Sequence, residues 1–71
     1  MNIIVNGIVF RMDKGKDCIK YETLADIAGH DFRHKPTIIY RSDHRSGELM
    51  GGEVLLVAEG MNVTCVDTCD A

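Results

Sequence analysis

Three kinds of side chain in this 71-residue sequence could do chemistry: three cysteines, three histidines and scattered carboxylates. His30 and His34 have the spacing H-x-x-x-H, Cys65 and Cys69 the spacing C-x-x-x-C, and Cys18 and His44 stand apart. Zinc needs four nitrogen or sulfur ligands converging on one point. Cys65, however, falls in an alternating stretch that reads as a strand with its thiol on the core side, and two residues four apart along a strand are ~13 Å apart. That pair closes on one ion only if the strand ends between them. The pattern therefore reads as a core cysteine and a pair of loop histidines, with no metal site. Cys69, between Thr68 and Asp70, has a neighbouring carboxylate that raises its pKa and no adjacent histidine to activate it. Asp13, Asp17, Asp26 and Asp31 read as turn or helix-surface carboxylates. No phosphate-binding glycine loop, nucleophile elbow or paired catalytic carboxylate is present. The expectation is a protein that is not an enzyme and carries no cofactor.

Size and charge narrow the field further. Seventy-one residues make one domain, which buries only about 60% of the unfolded chain's surface and leaves little room for a deep cleft. The net charge of −3 argues against nucleic acid as a partner, because phosphate contacts need a surplus of Lys and Arg. Arg33, His34, Lys35, Arg41, His44 and Arg45 nevertheless form a local basic cluster, which reads either as a dock for an acidic protein or as a solvated loop. No apolar run approaches the ~20 residues that a membrane span requires. Met1 leads directly into Asn2-Ile3-Ile4-Val5 with no basic leader region, so three reduced thiols in the cytoplasm are expected.

The elements that must position these residues follow from local patterns. Asn6-Gly7 is a two-residue type I′ turn signal, because that turn needs positive φ at both central positions. Its register pairs Val5 with Ile8, Ile3 with Phe10 and Met1 with Met12 on one face; Asn2, Ile4, Val9 and Arg11 share the other. Lys14 to Asp17 is a polar connector. Tyr21, Leu24, Ile27 and Ala28 recur at helical spacing, with Glu22, Thr23 and Asp26 opposite. Gly29 suits a left-handed cap at the helix end, whereas Lys20 makes a poor cap at its start. Pro36 opens a strand Thr37-Ile38-Ile39-Tyr40-Arg41, Ser42 to Gly47 is a polar turn, and a short strand surrounds Glu48-Leu49-Met50. Gly51-Gly52 breaks it, Val54 to Val57 is part loop and part strand, and Glu59-Gly60 turns the chain. Met61 to Asp67 is the last strand, with Met61, Val63 and Cys65 inward and Asn62, Thr64 and Val66 outward.

The expected fold is α+β, a ββαββ mixed sheet with one helix packed across one face. The last strand inserts beside the first, parallel to it, in mid-sheet. Residues 1–67 form the domain and 68–71 a flexible tail. This plan is that of the β-grasp, and the sequence resembles the bacterial multiubiquitin domain family of ubiquitin-like proteins. The matching stretches are Ile3-Ile4-Val5-Asn6-Gly7, Tyr21-Glu22 with Leu24, and Ile39-Tyr40-Arg41. They continue through Gly52-Glu53-Val54, Glu59-Gly60-Met61 and Asn62-Val63-Thr64, in order along nearly the whole chain.

The resemblance implies a protein modifier of a bacterial ubiquitination-like pathway, some members of which act in defence against phage. Its C-terminal carboxyl would be adenylated by an E1-like activating enzyme, passed to an E2-like conjugating enzyme and joined to a target protein, with a processing peptidase in the same set. The tail Thr68, Cys69, Asp70 and Ala71 would enter the partner's active site. Modifiers of this type end in a glycine pair, which threads a narrow channel; here the one glycine pair, Gly51-Gly52, is internal. Three readings stay open: peptidase trimming, enzymes that accept a non-glycine end, or a protein that is not conjugated. If Ile38 and Tyr40 face the helix, Ile39 faces out beside Ile4 and Val66, making an apolar patch for docking partners. A non-conjugated module that scaffolds partner enzymes would use the same patch. A sulfur carrier would need a terminal glycine pair.

Overall fold

The computed structural model of the protein describes residues 1–66; Asp67 and the expected tail Thr68, Cys69, Asp70 and Ala71 lie outside the described residues. The chain opens with β1 (Asn2–Val5) and β2 (Ile8–Arg11), joined by Asn6 and Gly7 at φ 51 and 81. Positive φ at both positions is the type I′ turn, whose twist matches that of the flanking strands. The expected register is observed, with Val5 opposite Ile8 and Ile3 opposite Phe10. A short strand, β3 (Cys18–Lys20), runs straight into the helix α1 (Tyr21–Ile27), and a 3-10 turn (Phe32–His34) follows. Then come β4 (Thr37–Arg41), β5 (Ser46–Leu49), β6 (Val54–Leu56) and β7 (Asn62–Val66).

Five strands form a mixed sheet in the order β2-β1-β7-β4-β5. β7 lies at the centre, parallel to β1 and antiparallel to β4. The molecule is thus a small α+β protein with one helix and a mixed sheet, an arrangement compatible with a β-grasp. Two corrections to the expected string have clear causes. β5 begins at Ser46, not near Glu48, because Tyr40 and Arg41 pair with Gly47 and Ser46 and the turn closes at Ser42–Arg45. β3 and β6 form a separate two-stranded sheet, Ile19 opposite Leu55. Both of those residues are buried, which closes the core below the helix.

Alternation places the core. Ile3, Val5, Ile38, Val63 and Cys65 face the helix, where Tyr21, Leu24 and Ala25 meet them, and Met61 fills the end of the sheet. Lys20 offers no side-chain cap, as expected. At the other end Gly29 (φ 81) donates its N–H to Asp26, and His30 donates to Ala25. Those two bonds are the Schellman pair, which satisfies carbonyls the helix leaves without partners. A seven-residue helix is too short to be stable alone, so packing holds it.

Candidate docking face

The side of the sheet away from the helix is built from the alternate residues of all five strands, β5 contributing Ser46 and Glu48, with Glu48 directly opposite Ile39. β1 contributes Ile4, β2 Val9, β7 Asn62, Thr64 and Val66, and β4 Thr37, Ile39 and Arg41. The neighbours are fixed by register: Ile39 stands opposite Thr64, Thr37 opposite Val66, Arg41 opposite Asn62 and Ile4 opposite Val9. All three residues expected in the patch share this face. Ile39 is 47% exposed, Val66 is 45% exposed and Ile4 is half-buried.

The register also changes the shape of the patch. Ile39 and Val66 are diagonal neighbours across β4 and β7, a separation of about 7–8 Å that lets their side chains touch. Ile4 is not beside Ile39. It pairs with Asn62 on β7, two positions before Thr64, and two strand spacings plus two residues set it about 12 Å from Ile39. Its apolar neighbour is Val9, 63% exposed. The face therefore carries two aliphatic pairs, Ile39–Val66 and Ile4–Val9, divided by the polar column Asn62–Thr64. The signal for Val9 was present in the hairpin register, which puts it on the face of Ile4; the polar column is a property of the strand order.

Asn6 couples the two halves of this structure. Its amide Nδ2 donates to the Cys65 carbonyl at 3.0 Å, and its Oδ1 accepts from the Cys65 N–H at 2.8 Å. The Asn6 N–H donates to Val63 at 2.9 Å. The first turn thereby continues the parallel β1–β7 pairing up to the residue before Val66.

Among the other chemistry-bearing residues, Cys65 is buried in the core, and burial pushes its thiol pKa up. A neutral thiol in that position neither attacks nor ligates. Cys18 is exposed on β3. His30 is half-buried after the helix cap, and His34 and His44 are exposed on separate turns. No three His, Cys, Asp or Glu residues gather to hold an ion among the described residues. Cys69 lies outside them.

The basic cluster does not form one surface. The Arg33 guanidinium binds the Asp31 carboxylate at 2.9 Å and holds its pKa down to about 2. Arg45 stands 5.9 Å from the Tyr40 ring centroid and donates to the Leu56 carbonyl. Arg41 lies at the far end of β4, about 13 Å of strand away from Thr37. What reads as a run of cations along the chain is spread over two ends of a strand and a turn.

No helix of the described residues is long and apolar enough to cross a membrane. Comparison with protein-family models, curated proteins and solved structures returned no match to this chain.

Proposed function

We propose that the chain is a ubiquitin-like protein modifier of β-grasp architecture, taken up by an E1-like activating enzyme through its C-terminal carboxyl and passed to an E2-like enzyme for conjugation to a target protein. The observation that supports this reading most directly is the position of β7. It is the central strand, it carries Val66 beside Ile39 on the open face, and residues 67–71 follow it directly in sequence. A partner seated on Ile39 and Val66 thus stands at the residue that residues 67–71 follow in sequence. Exposed aliphatics grouped on neighbouring strands mark interfaces more often than single ones do. On this reading the partner enzymes supply the chemistry and the domain supplies recognition.

A second reading, a non-conjugated module that holds partner enzymes together, is favoured by the glycines. Gly51 and Gly52 form a turn, with Gly52 at φ 84 and its N–H donating to Glu22. They do not supply the extended pair that transfer channels accept.

One experiment separates the two: intact mass after incubation with ATP, the activating enzyme, the conjugating enzyme and the peptidase. An ATP-dependent covalent adduct through residues 67–71 is the expected result. Its absence, with every enzyme shown to be active, would replace the modifier with the scaffold module.

A further inference from the structure

The five-stranded sheet ends in β5, which pairs with β4 on one side and with no strand on the other. In the turn between them the Ser42 N–H donates to the Arg45 carbonyl at 2.7 Å, which sets the alternation of the hairpin. Gly47 and Leu49 turn their backbone groups towards Tyr40 and Ile38, so Ser46 and Glu48 present theirs to the outside. Both residues are exposed, and those outward groups have no backbone partner among the described residues. An unpaired edge of this kind is a template for an added strand, and a charge on it is a common defence. Glu48 is that charge, so any occupant must answer it.

A second copy of the chain answers it in one register. A two-fold axis perpendicular to the sheet pairs Ser46 with Glu48 of the other copy, and Glu48 with its Ser46, around Gly47 at the centre. The outward groups of both copies then meet as two bonded pairs. Gly47 faces Gly47 in the non-bonded position, where Cα atoms approach to about 4.5 Å and no side chain obstructs. On the open face Glu48 stands in line with Ser46 and then Arg41 of the other copy, because Arg41 is opposite Ser46. The serine is short enough for the two charges to meet over it. Among the described residues neither Arg41 nor Glu48 forms an ion pair within its own chain. Two reciprocal Glu48–Arg41 pairs thus leave the seam neutral, although each chain carries a net charge of −3. Sliding the register by two residues sets Glu48 against Glu48, or against His44 where the strand has already turned away.

We infer that β5 is a self-association edge, through which two copies of this chain join antiparallel into one continuous sheet. The main-chain bonds and two exposed ion pairs make a small interface, so the dimer is transient. The axis keeps both open faces on the same side, and strand spacing and rise set the two Ile39 residues about 16 Å apart. On the docking reading, which this pairing extends and does not require, one partner then engages two faces at once and gains avidity.

Sedimentation velocity and amide NMR of the chain in reductant, from micromolar to millimolar concentration, test the edge. A rising mean mass, shifts centred on Ser46–Leu49 and slowed exchange of the Ser46 and Glu48 amides are expected. A mixture of labelled and unlabelled copies should show a filtered Hα–Hα NOE across Gly47. Arg41→Glu and Glu48→Arg, each with a folded amide spectrum, should each weaken association at least tenfold. Both changes in one chain recreate the pairs with reversed sign and should restore association to near the wild-type value, a rescue that a merely structural role does not predict. Added salt should weaken the wild-type dimer. No partner enzyme enters the assay, so its outcome is independent of the modifier reading. A chain that stays monomeric at millimolar concentration, shifts confined to Ile8–Arg11, or a folded double variant no stronger than the single ones would overturn the inference.

Discussion

The side-chain amide of Asn6 occupies the place of a strand residue against Cys65, bonding both its N–H and its carbonyl although the two are 59 positions apart. The same residue holds φ 51 in the first turn, a conformation that Asn tolerates and most residues do not. One side chain therefore sets the hairpin twist and anchors the central strand.

Asn6→Ala removes both bonds and strains the turn. Two part-buried hydrogen bonds with Cys65 backbone groups left unpaired put the loss at about 2–4 kcal/mol, a large share of the stability of so small a domain. Asn6→Gly relieves the φ and should lose less. Urea unfolding checks the ranking, and faster hydrogen exchange at the Cys65 amide locates the loss at β7.

Tyr21 opens the helix with its ring in the core and its hydroxyl donating to the Pro36 carbonyl. Tyr21→Phe leaves that carbonyl unpaired and should cost about 1–3 kcal/mol. Burial first, then the nearby Cys65 and Glu22, raise the Tyr21 pKa. A raised folded pKa means that the neutral phenol's contribution is complete below the unfolded value of about 10 and disappears as pH rises through the folded value. Wild-type stability should therefore fall on the alkaline side more steeply than that of Tyr21→Phe, as pH-dependent denaturation will show.

Gly47 has a steric reason to be glycine. A Cβ there would lie 2.8 Å from the Tyr40 hydroxyl and 3.1 Å from Cζ of its ring. Gly47→Ala must push the ring off β5 and away from Arg45, a cost of about 1–3 kcal/mol for overpacking. With Tyr40→Ala in the background most of that cost should vanish, and a double-mutant cycle reads the coupling.

The Asp31–Arg33 pair is exposed but well formed. Side-chain hydrogen bonding to Arg33 holds the carboxyl at about 2. A depressed folded pKa contributes above the unfolded value of about 3.9 and is lost as pH falls through the folded one. Carboxyl NMR titration should place Asp31 near the lower value, and Arg33→Gln should return it towards the ordinary range.

Ile39→Arg tests the open face. The side chain is about half exposed, so stability should change by about 0.5 kcal/mol or less. On the proposed modifier reading, binding to an activating or conjugating enzyme should weaken at least tenfold, read by calorimetry; unchanged binding would move the docking face elsewhere. Val66→Arg should act in the same direction because it is the diagonal neighbour of Ile39.

Much of the fold is legible in short stretches of sequence. Asn6-Gly7 determines the hairpin and its register, because Asn and Gly are among the few residues that reach positive φ readily, here 51 and 81. Gly29 determines where the helix stops, and strict alternation from Met61 to Val66 determines which side of the last strand is buried. Each is a local cause with a period of 2 or 3.6, so each is readable without knowing what packs against it. The β3–β6 sheet is different. Three residues, Cys18–Lys20, carry too little pattern to declare a strand, and they become one only because Leu55, far along the chain, covers the same core as Ile19. Likewise, sequence assigns Ile4, Ile39 and Val66 to one face, but strand order decides that Ile39 is the diagonal neighbour of Val66 while Asn62 and Thr64 separate it from Ile4. Side-chain direction is a property of neighbouring residues; side-chain company depends on which strands lie next to each other, and only the folded sheet decides that.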